Sequence, residues 1–333
     1  MMCNSMFSDN LQPNLSPDTV EKSPTRNGYG DGLLEAGKRD ENVVALCCDL
    51  TGSTRTDKFA DAFPDRFVQV GVAEQNLASV GSGMAAMGKV PFIASYAMFS
   101  PGRNWEQIRT TIAYNDANVK IVGAHAGVSV GPDGATHQAI EDIAITRALP
   151  NMVVIAPADE HEARKATLAA ARHVGPVYFR LGRSATPIVT TPDTPFEIGK
   201  AARMFSCDES LEKKVGIVST GSLLFNSLMA AEALQKNDVG ASVLHMATIK
   251  PLDEEALLAF AQEHDVLVTV EEHQVAGGLG GAVAEYLSGV HPMKISRVGV
   301  QDQFGQSGEP DELIEHYGMG VDSIVGAARK LFE

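Results

Sequence analysis

Short, nearly continuous runs of β-branched and aliphatic residues recur at 43–48, 67–70, 90–94, 119–124, 152–155 and 177–179, and Ala-rich stretches of helical length separate several of them. Such runs predict strands buried on both faces, and their alternation with helices predicts a parallel sheet covered by helices. The helices expected are 74–87, 105–113 and 160–173. The pattern stops at 184–200, where SATPIVTTPDTPFEIGK packs three prolines and four threonines into a run with no period, the composition of an interdomain linker. A second alternation follows, with strands at 215–220, 241–246, 266–271 and 294–298, each leading into a helical stretch. The expected fold class is therefore α/β in two domains, 25–190 and 201–333, each a mostly parallel sheet covered by helices, joined by a linker at 191–200. Residues 1–24 carry Ser, Asn, Asp and Pro with apolar residues only singly, which predicts a flexible tail. No internal repeat has a fixed period.

Composition narrows the function classes. The 333 residues hold 27 Lys plus Arg against 42 Asp plus Glu, a formal charge of −15, which argues against nucleic acid and anionic membranes as partners. Any phosphate site must then be a local exception. The four cysteines include the adjacent pair Cys47 and Cys48 and form no C-x-x-C, so neither a disulfide framework nor a zinc site is expected. No apolar run approaches the ~20 residues of a membrane span, and the first 25 residues lack a signal-peptide core. A cytoplasmic protein is expected.

Two glycine motifs read as structural. Gly30-Asp31-Gly32 has the form of a diphosphate and metal loop, but no strand precedes it and no paired asparagines follow. Gly277-Gly278-Leu279-Gly280-Gly281 follows a strand without the G-x-G-x-x-G register, so it reads as a helix start packed tightly on that strand. Glu74 is more informative. It opens a helix that is apolar nearly all round, where the helix dipole favours a carboxylate and the buried setting demands a specific partner for it. The Gly-rich loop 125–137 places His125, Asp133 and His137 directly after a strand, where open α/β sheets bind ligands. The separation of its two histidines matches no short metal spacing, and no metal ligand is assigned in the chain.

The stretches TRNGYGDGLLEAG, CDLTGSTRT, VGVAEQN, PFIASYAMFSPGRNWEQIR, HAGVSVGPDGATHQAIED, PNMVVIAPAD, GPVYFRLGR, IKPLD, VEEHQVAGGLGGAVAEYL and GQSGEPDEL together resemble the C-terminal half of the transketolases, from Thr25 onward. The resemblance implies a pyrimidine-binding domain followed by a transketolase C-terminal domain. The family's N-terminal third, with its diphosphate and metal site, has no counterpart here. The chain thus resembles the C-terminal subunit of a split transketolase of carbohydrate metabolism and the pentose phosphate pathway. It would transfer a two-carbon ketol unit between sugar phosphates with thiamine diphosphate. The partner N-terminal subunit would supply the Mg2+ ligands, in a heterotetramer of two plus two.

Residue by residue, Glu74 matches the glutamate that hydrogen-bonds N1′ of the cofactor's aminopyrimidine and drives its imino tautomer, a role that benefits from a desolvated, apolar setting. Tyr96 and Phe99 match the aromatic residues against the pyrimidine, the family usually having Phe where Tyr96 stands. Asp49 corresponds to an aspartate near the thiazolium, or caps the following helix. Arg26, Ser53, His125 and Arg183 match the sugar-phosphate ligands, Arg180 being a weaker match than Arg183. Asp133 matches the residue that binds the sugar's α-hydroxyl, and His137 the one that steadies the intermediate or shuttles protons. Rival readings are a 1-deoxyxylulose-5-phosphate synthase, the β subunit of a 2-oxo acid dehydrogenase, and a noncatalytic regulatory subunit. The second domain offers no chemistry in the sequence.

Overall fold

A computed structural model of the chain describes residues 6–208 and 210–333. The first domain is built on a seven-stranded sheet in the order Thr248–Lys250, Val153–Ile155, Val177–Arg180, Lys120–Ala124, Val90–Tyr96, Val43–Cys47 and Phe67–Gln69. Its strands pair in parallel except Thr248–Lys250, which runs antiparallel to Val153–Ile155. That edge strand comes from the second half of the chain, so the two domains share one sheet. Val43–Cys47 and Lys120–Ala124 are buried at every residue, as strands covered on both faces must be.

The second sheet has the order Ile295–Val300, Val266–Gln274, Lys214–Ser219, Gly240–His245 and Ala202–Phe205, parallel except for the last, antiparallel pair. Both expected domains are thus mostly parallel sheets flanked by helices. The interface between them is polar as well as apolar: Glu162 of the first domain and His245 of the second form a buried pair at 2.8 Å.

Sequence reading missed the helix Thr25–Arg39, because four glycines in fifteen residues lower its intrinsic propensity. Tertiary contact overrides that preference. A Cβ at Gly28 would lie 1.9 Å from Glu160 O, and one at Gly32 would lie 2.8 Å from Thr167 Cβ, so the glycines let this helix lie directly on the helix Glu160–Arg172. Asp31 of the Gly-Asp-Gly triplet sits within this helix and pairs with Lys58. The Gly-rich run before the helix Leu279–Val290 also proves structural: the buried Glu271 carboxylate accepts the N–H groups of Leu279 at 2.7 Å and Gly280 at 2.8 Å.

The expectation of a flexible tail is corrected over residues 6–24; residues 1–5 lie outside the described residues. Phe7 bridges Phe205 and meets its ring edge-on at a centroid distance of 4.9 Å, Leu11 is buried in the second domain's core, and Lys22–Ser23 pairs with Thr186–Pro187. Met6, Phe7, Leu11, Leu15 and Val20 all pack on the second domain's core, but residues 6–20 lie on it without a helix or strand, so no period announces them. The linker is pinned too. Buried Asp159 accepts the N–H groups of Val189 and Thr190 and the Thr190 hydroxyl, and Lys165 Nζ donates to the carbonyls of Thr191 and Thr194.

Gly28→Ala is expected to cost ~1–3 kcal/mol in denaturant unfolding, since its methyl meets backbone rather than a movable side chain. An unchanged midpoint would mean the two helices do not pack at this distance.

Candidate active site

The carboxyl ends of the parallel strands deliver the predicted residues to one edge of the first sheet. Val43–Cys47 leads into Asp49 and Ser53, Val90–Tyr96 ends on Tyr96, Lys120–Ala124 stops one residue before His125, and Val177–Arg180 leads into Arg183. Phe67–Gln69 leads through Gly71, at φ 72°, to Glu74 at the start of the helix Glu74–Ala86. Arg26 stands at the start of the helix Thr25–Arg39, where the Thr25 hydroxyl accepts the Gly182 N–H at 2.9 Å and ties this helix to the Arg183 segment. Asp49, Arg55 and His125 all hold left-handed backbone, at φ 58°, 62° and 57°, a costly conformation that clusters at functional sites.

Glu74 is buried, and its carboxyl is only half engaged. Ser95 Oγ donates to Oε1 at 3.2 Å and Asn104 Nδ2 donates to the Glu74 carbonyl at 2.9 Å, while Oε2 takes no hydrogen bond from the described residues. Burial and then the neighbouring Glu74 charge push the Cys48 thiol up to about 12, so it stays neutral beside the carboxyl. Beyond Glu74 the helix turns an unpartnered face outward: Gln75, Asn76, Ser79, Val80 and Gly83 are exposed, flanked by Val72 at 80% and Met87 at 83% exposure.

Next to it lies a histidine and aromatic cluster. The ring of Tyr96 stacks on His125 at a centroid distance of 4.0 Å, and Phe99 meets His137 edge-on at 5.4 Å. Arg26 Nη1 donates to Ser53 O at 2.8 Å and to His125 Nε2 at 3.4 Å, so the imidazole hydrogen sits on Nδ1, which is buried without a partner, as is Arg26 Nε. Burial, then the positive charges of Arg26, Arg183 and Arg55, push His125 down to about 3. At neutral pH the ring is therefore uncharged. Unpartnered buried donors beside guanidinium groups form a site for an anion.

Arg183 donates to Val130 O at 2.8 Å and remains half-buried at the cluster, whereas Arg180 is fully committed elsewhere. Arg180 Nε binds the Asp142 carboxylate at 3.1–3.2 Å and Nη2 reaches the Glu272 carbonyl of the second domain at 2.6 Å. Asp142 also accepts the Tyr178 hydroxyl at 2.7 Å. The loop carrying Asp133 and His137 is shaped from the second domain: Glu272 Oε1 accepts Ser129 N–H at 2.8 Å, and Gly127, Gly131 and Gly134, all at positive φ, lie against Glu272, Gly308 and Ser307. Asp133 is exposed, and His137 is half-buried with Thr136 Oγ1 at 3.0 Å from its Nδ1. Asp49 is exposed and caps no helix; its N–H donates to Gln69 Oε1 at 2.6 Å.

The family model described as the transketolase pyrimidine binding domain matches residues 21–189, and that of the transketolase C-terminal domain matches residues 207–324. The chain belongs to the transketolase family. A solved structure described as a split-gene transketolase, an inactive β4 tetramer, superposes with a TM-score of 0.85 at 44% identity, covering 92% of this chain and 98% of that one. A 6-deoxy-6-sulfo-D-fructose transketolase subunit from Clostridium sp. strain MSTE9 is 38% identical over 94% of this chain and 96% of its own. Rat transketolase is 34% identical over 93% of this chain but only 49% of its own length. This transketolase chain thus spans about half of the single-chain enzyme.

Against that family frame, sequence reading missed Ser95 and Asn104, which hold Glu74, and Arg55, which adds a positive charge beside Arg26 and His125. Arg55 lies two residues after Ser53 in the CDLTGSTRT stretch, and Ser95 and Asn104 flank the aromatics of PFIASYAMFSPGRNWEQIR. Glu272 carried no signal, since its role depends on the packing of the two domains. Among the described residues no group of three or more His, Cys, Asp or Glu side chains is placed to hold a metal ion, and no helix is long and apolar enough to cross a membrane.

Two outcomes are expected. Arg180→Met should destabilise the chain by ~3–5 kcal/mol by leaving the buried Asp142 charge unpaired, while Arg183→Met should leave the melting temperature within a few degrees. Imidazole NMR should find no His125 titration between about pH 5 and 8 in the free chain; a midpoint inside that window would remove the positive surroundings described for it.

Proposed function

We propose that the chain is the C-terminal subunit of a split transketolase, transferring a two-carbon ketol unit from a ketose phosphate to an aldose phosphate. The observation that carries this reading is the juxtaposition, on one sheet edge, of a buried carboxyl with a free oxygen and a carboxylate-free cluster of Arg26, Arg183 and His125. Thiamine diphosphate, when bound, supplies a carbon nucleophile that holds the ketol unit between donor and acceptor. The residues present fit that group: Glu74 Oε2 is available to a pyrimidine nitrogen, and Tyr96 and Phe99 offer flat apolar surface beside it.

In this reading Glu74 gives or takes a hydrogen bond at N1′, and its burial keeps water from competing for that contact. Asp49 borders the thiazolium side. Arg26, Ser53, His125 and Arg183 hold the sugar phosphate. Asp133 receives the sugar's α-hydroxyl, and His137, steadied by Phe99 and Thr136, moves protons at the reacting carbonyl.

The diphosphate and Mg2+ ligands are assigned to an N-terminal partner subunit, two of each chain forming the active assembly. The relative described as an inactive β4 tetramer supports that division, as does the match to only 49% of rat transketolase. The exposed face of the helix Glu74–Ala86, with Val72 and Met87 nearly bare, is the surface this reading gives to the partner.

Calorimetry of the isolated chain with thiamine diphosphate and magnesium should detect only weak binding; tight binding would contradict the division of the site. In the reconstituted complex Glu74→Ala should lower kcat at least ~100-fold without dissociating the subunits, and retained turnover would remove Glu74 from the chemistry.

A further inference from the structure

Arg55 is an arginine at the site edge, within electrostatic reach of Arg26 and His125, that the functional reading leaves unused. It follows Ser53 on the same turn and is held in left-handed backbone at φ 62°. Gly30 makes room for it, since a Cβ there would lie 2.6 Å from Arg55 O and 2.9 Å from Arg55 Cβ. Its Nε donates to Asn27 Oδ1 at 2.8 Å, and Asn27 is the neighbour of Arg26, whose own Nη1 donates to Ser53 O at 2.8 Å. The two arginine-bearing segments are therefore laced together in both directions. Both Nη groups of Arg55 make no hydrogen bond with the described residues.

Several basic side chains elsewhere in the protein are paired with carboxylates. Arg39 and Arg164 share Glu35, Lys58 has Asp31, Arg147 has Glu285, and Arg180 has Asp142. Among the described residues Arg26, Arg55 and Arg183 have no acidic partner, in a chain with 42 acidic and 27 basic residues. Burial, and then the charges of Arg55 and Arg183, lower the Arg26 guanidinium below its ordinary value, which places all three within electrostatic reach. Three cations around a neutral imidazole with an unpartnered donor repel one another, and an anion among them offsets that repulsion.

We propose that Arg55 is a specificity-determining substrate-binding residue, completing with Arg26 and Arg183 a three-guanidinium cradle that selects a phosphate dianion at the sugar terminus over a tetrahedral monoanion such as a sulfonate. The inference rests on the sugar-phosphate reading above and names the charge that the site selects. Phosphate and sulfonate share shape and acceptor geometry, so contacts from Arg26 and Arg183 alone separate them weakly. A third guanidinium raises the reward for the second negative charge, and the Nη donors of Arg55 are left available while its Nε holds Asn27.

The test is equilibrium binding of methyl phosphate and of methanesulfonate to the full chain at low salt and about pH 8, where a phosphate monoester, with its second pKa of about 6, is a dianion. Arg55→Met is expected to weaken methyl phosphate binding about tenfold and methanesulfonate binding much less, so the preference collapses. Arg55→Lys, which restores the charge without the Asn27 geometry, should recover most of the preference, as a merely structural role would not. Methyl phosphate binding within twofold of the wild type in Arg55→Met, or an unchanged phosphate-to-sulfonate ratio, overturns the inference. Ketol transfer by the reconstituted complex is measured beside it. Turnover with an unchanged ratio sinks the Arg55 role alone, whereas loss of the ratio in a complex that transfers no ketol unit sinks the transketolase reading and leaves the cradle standing.

Discussion

The Arg180 guanidinium, buried between the two domains, is the interaction on which the site depends. It holds the Asp142 carboxylate with one edge and the Glu272 carbonyl of the second domain with the other, and Asp142 in turn receives the Tyr178 hydroxyl. Such a network is tolerable only when every member is satisfied, so it fixes the domains at one relative position. That position brings the Glu272 carboxylate to Ser129 N–H and sets Gly127, Gly131 and Gly134 against the second domain. The loop that carries Asp133 and His137 is thus moulded by the second domain.

A division of labour follows between neighbouring arginines three residues apart. Arg180 points into the junction and is neutralised, while Arg183 lies at the edge and stays available. Arg39, Arg147 and Arg164 are, by comparison, paired with carboxylates. Left-handed backbone at Asp49, Arg55 and His125 and orphaned donors on Arg26 and His125 are costs that fall together at this sheet edge.

Much of this was legible in the sequence because buried parallel strands write themselves as continuous apolar runs, and residues after strand ends are where such sheets bind ligands. His125, Asp133 and His137 follow from that rule and Glu74 from its place at the start of an apolar helix, whereas Tyr96 and Arg183 were legible only through the transketolase resemblance. What escaped notice depends on tertiary contact. The helix Thr25–Arg39 is rich in glycine because it lies on another helix, and residues 6–24 look disordered because their apolar side chains reach the second domain's core at irregular spacing. Thr248–Lys250 belongs by sequence to the second domain and by pairing to the first sheet. Glu272 acts through a domain interface that no local pattern encodes.

The central claim is that half of an active site is present here and a second chain completes it. Affinity purification of the tagged chain from its native cells, with mass spectrometry of what stays bound and a ketol-transfer assay of the eluate, tests this most directly. The account predicts a second subunit carrying a strand followed by a Gly-Asp-Gly diphosphate loop, in stoichiometric amount, and ketol transfer by the pair. A chain recovered alone, or a complex with such a subunit that transfers no ketol unit, would contradict it.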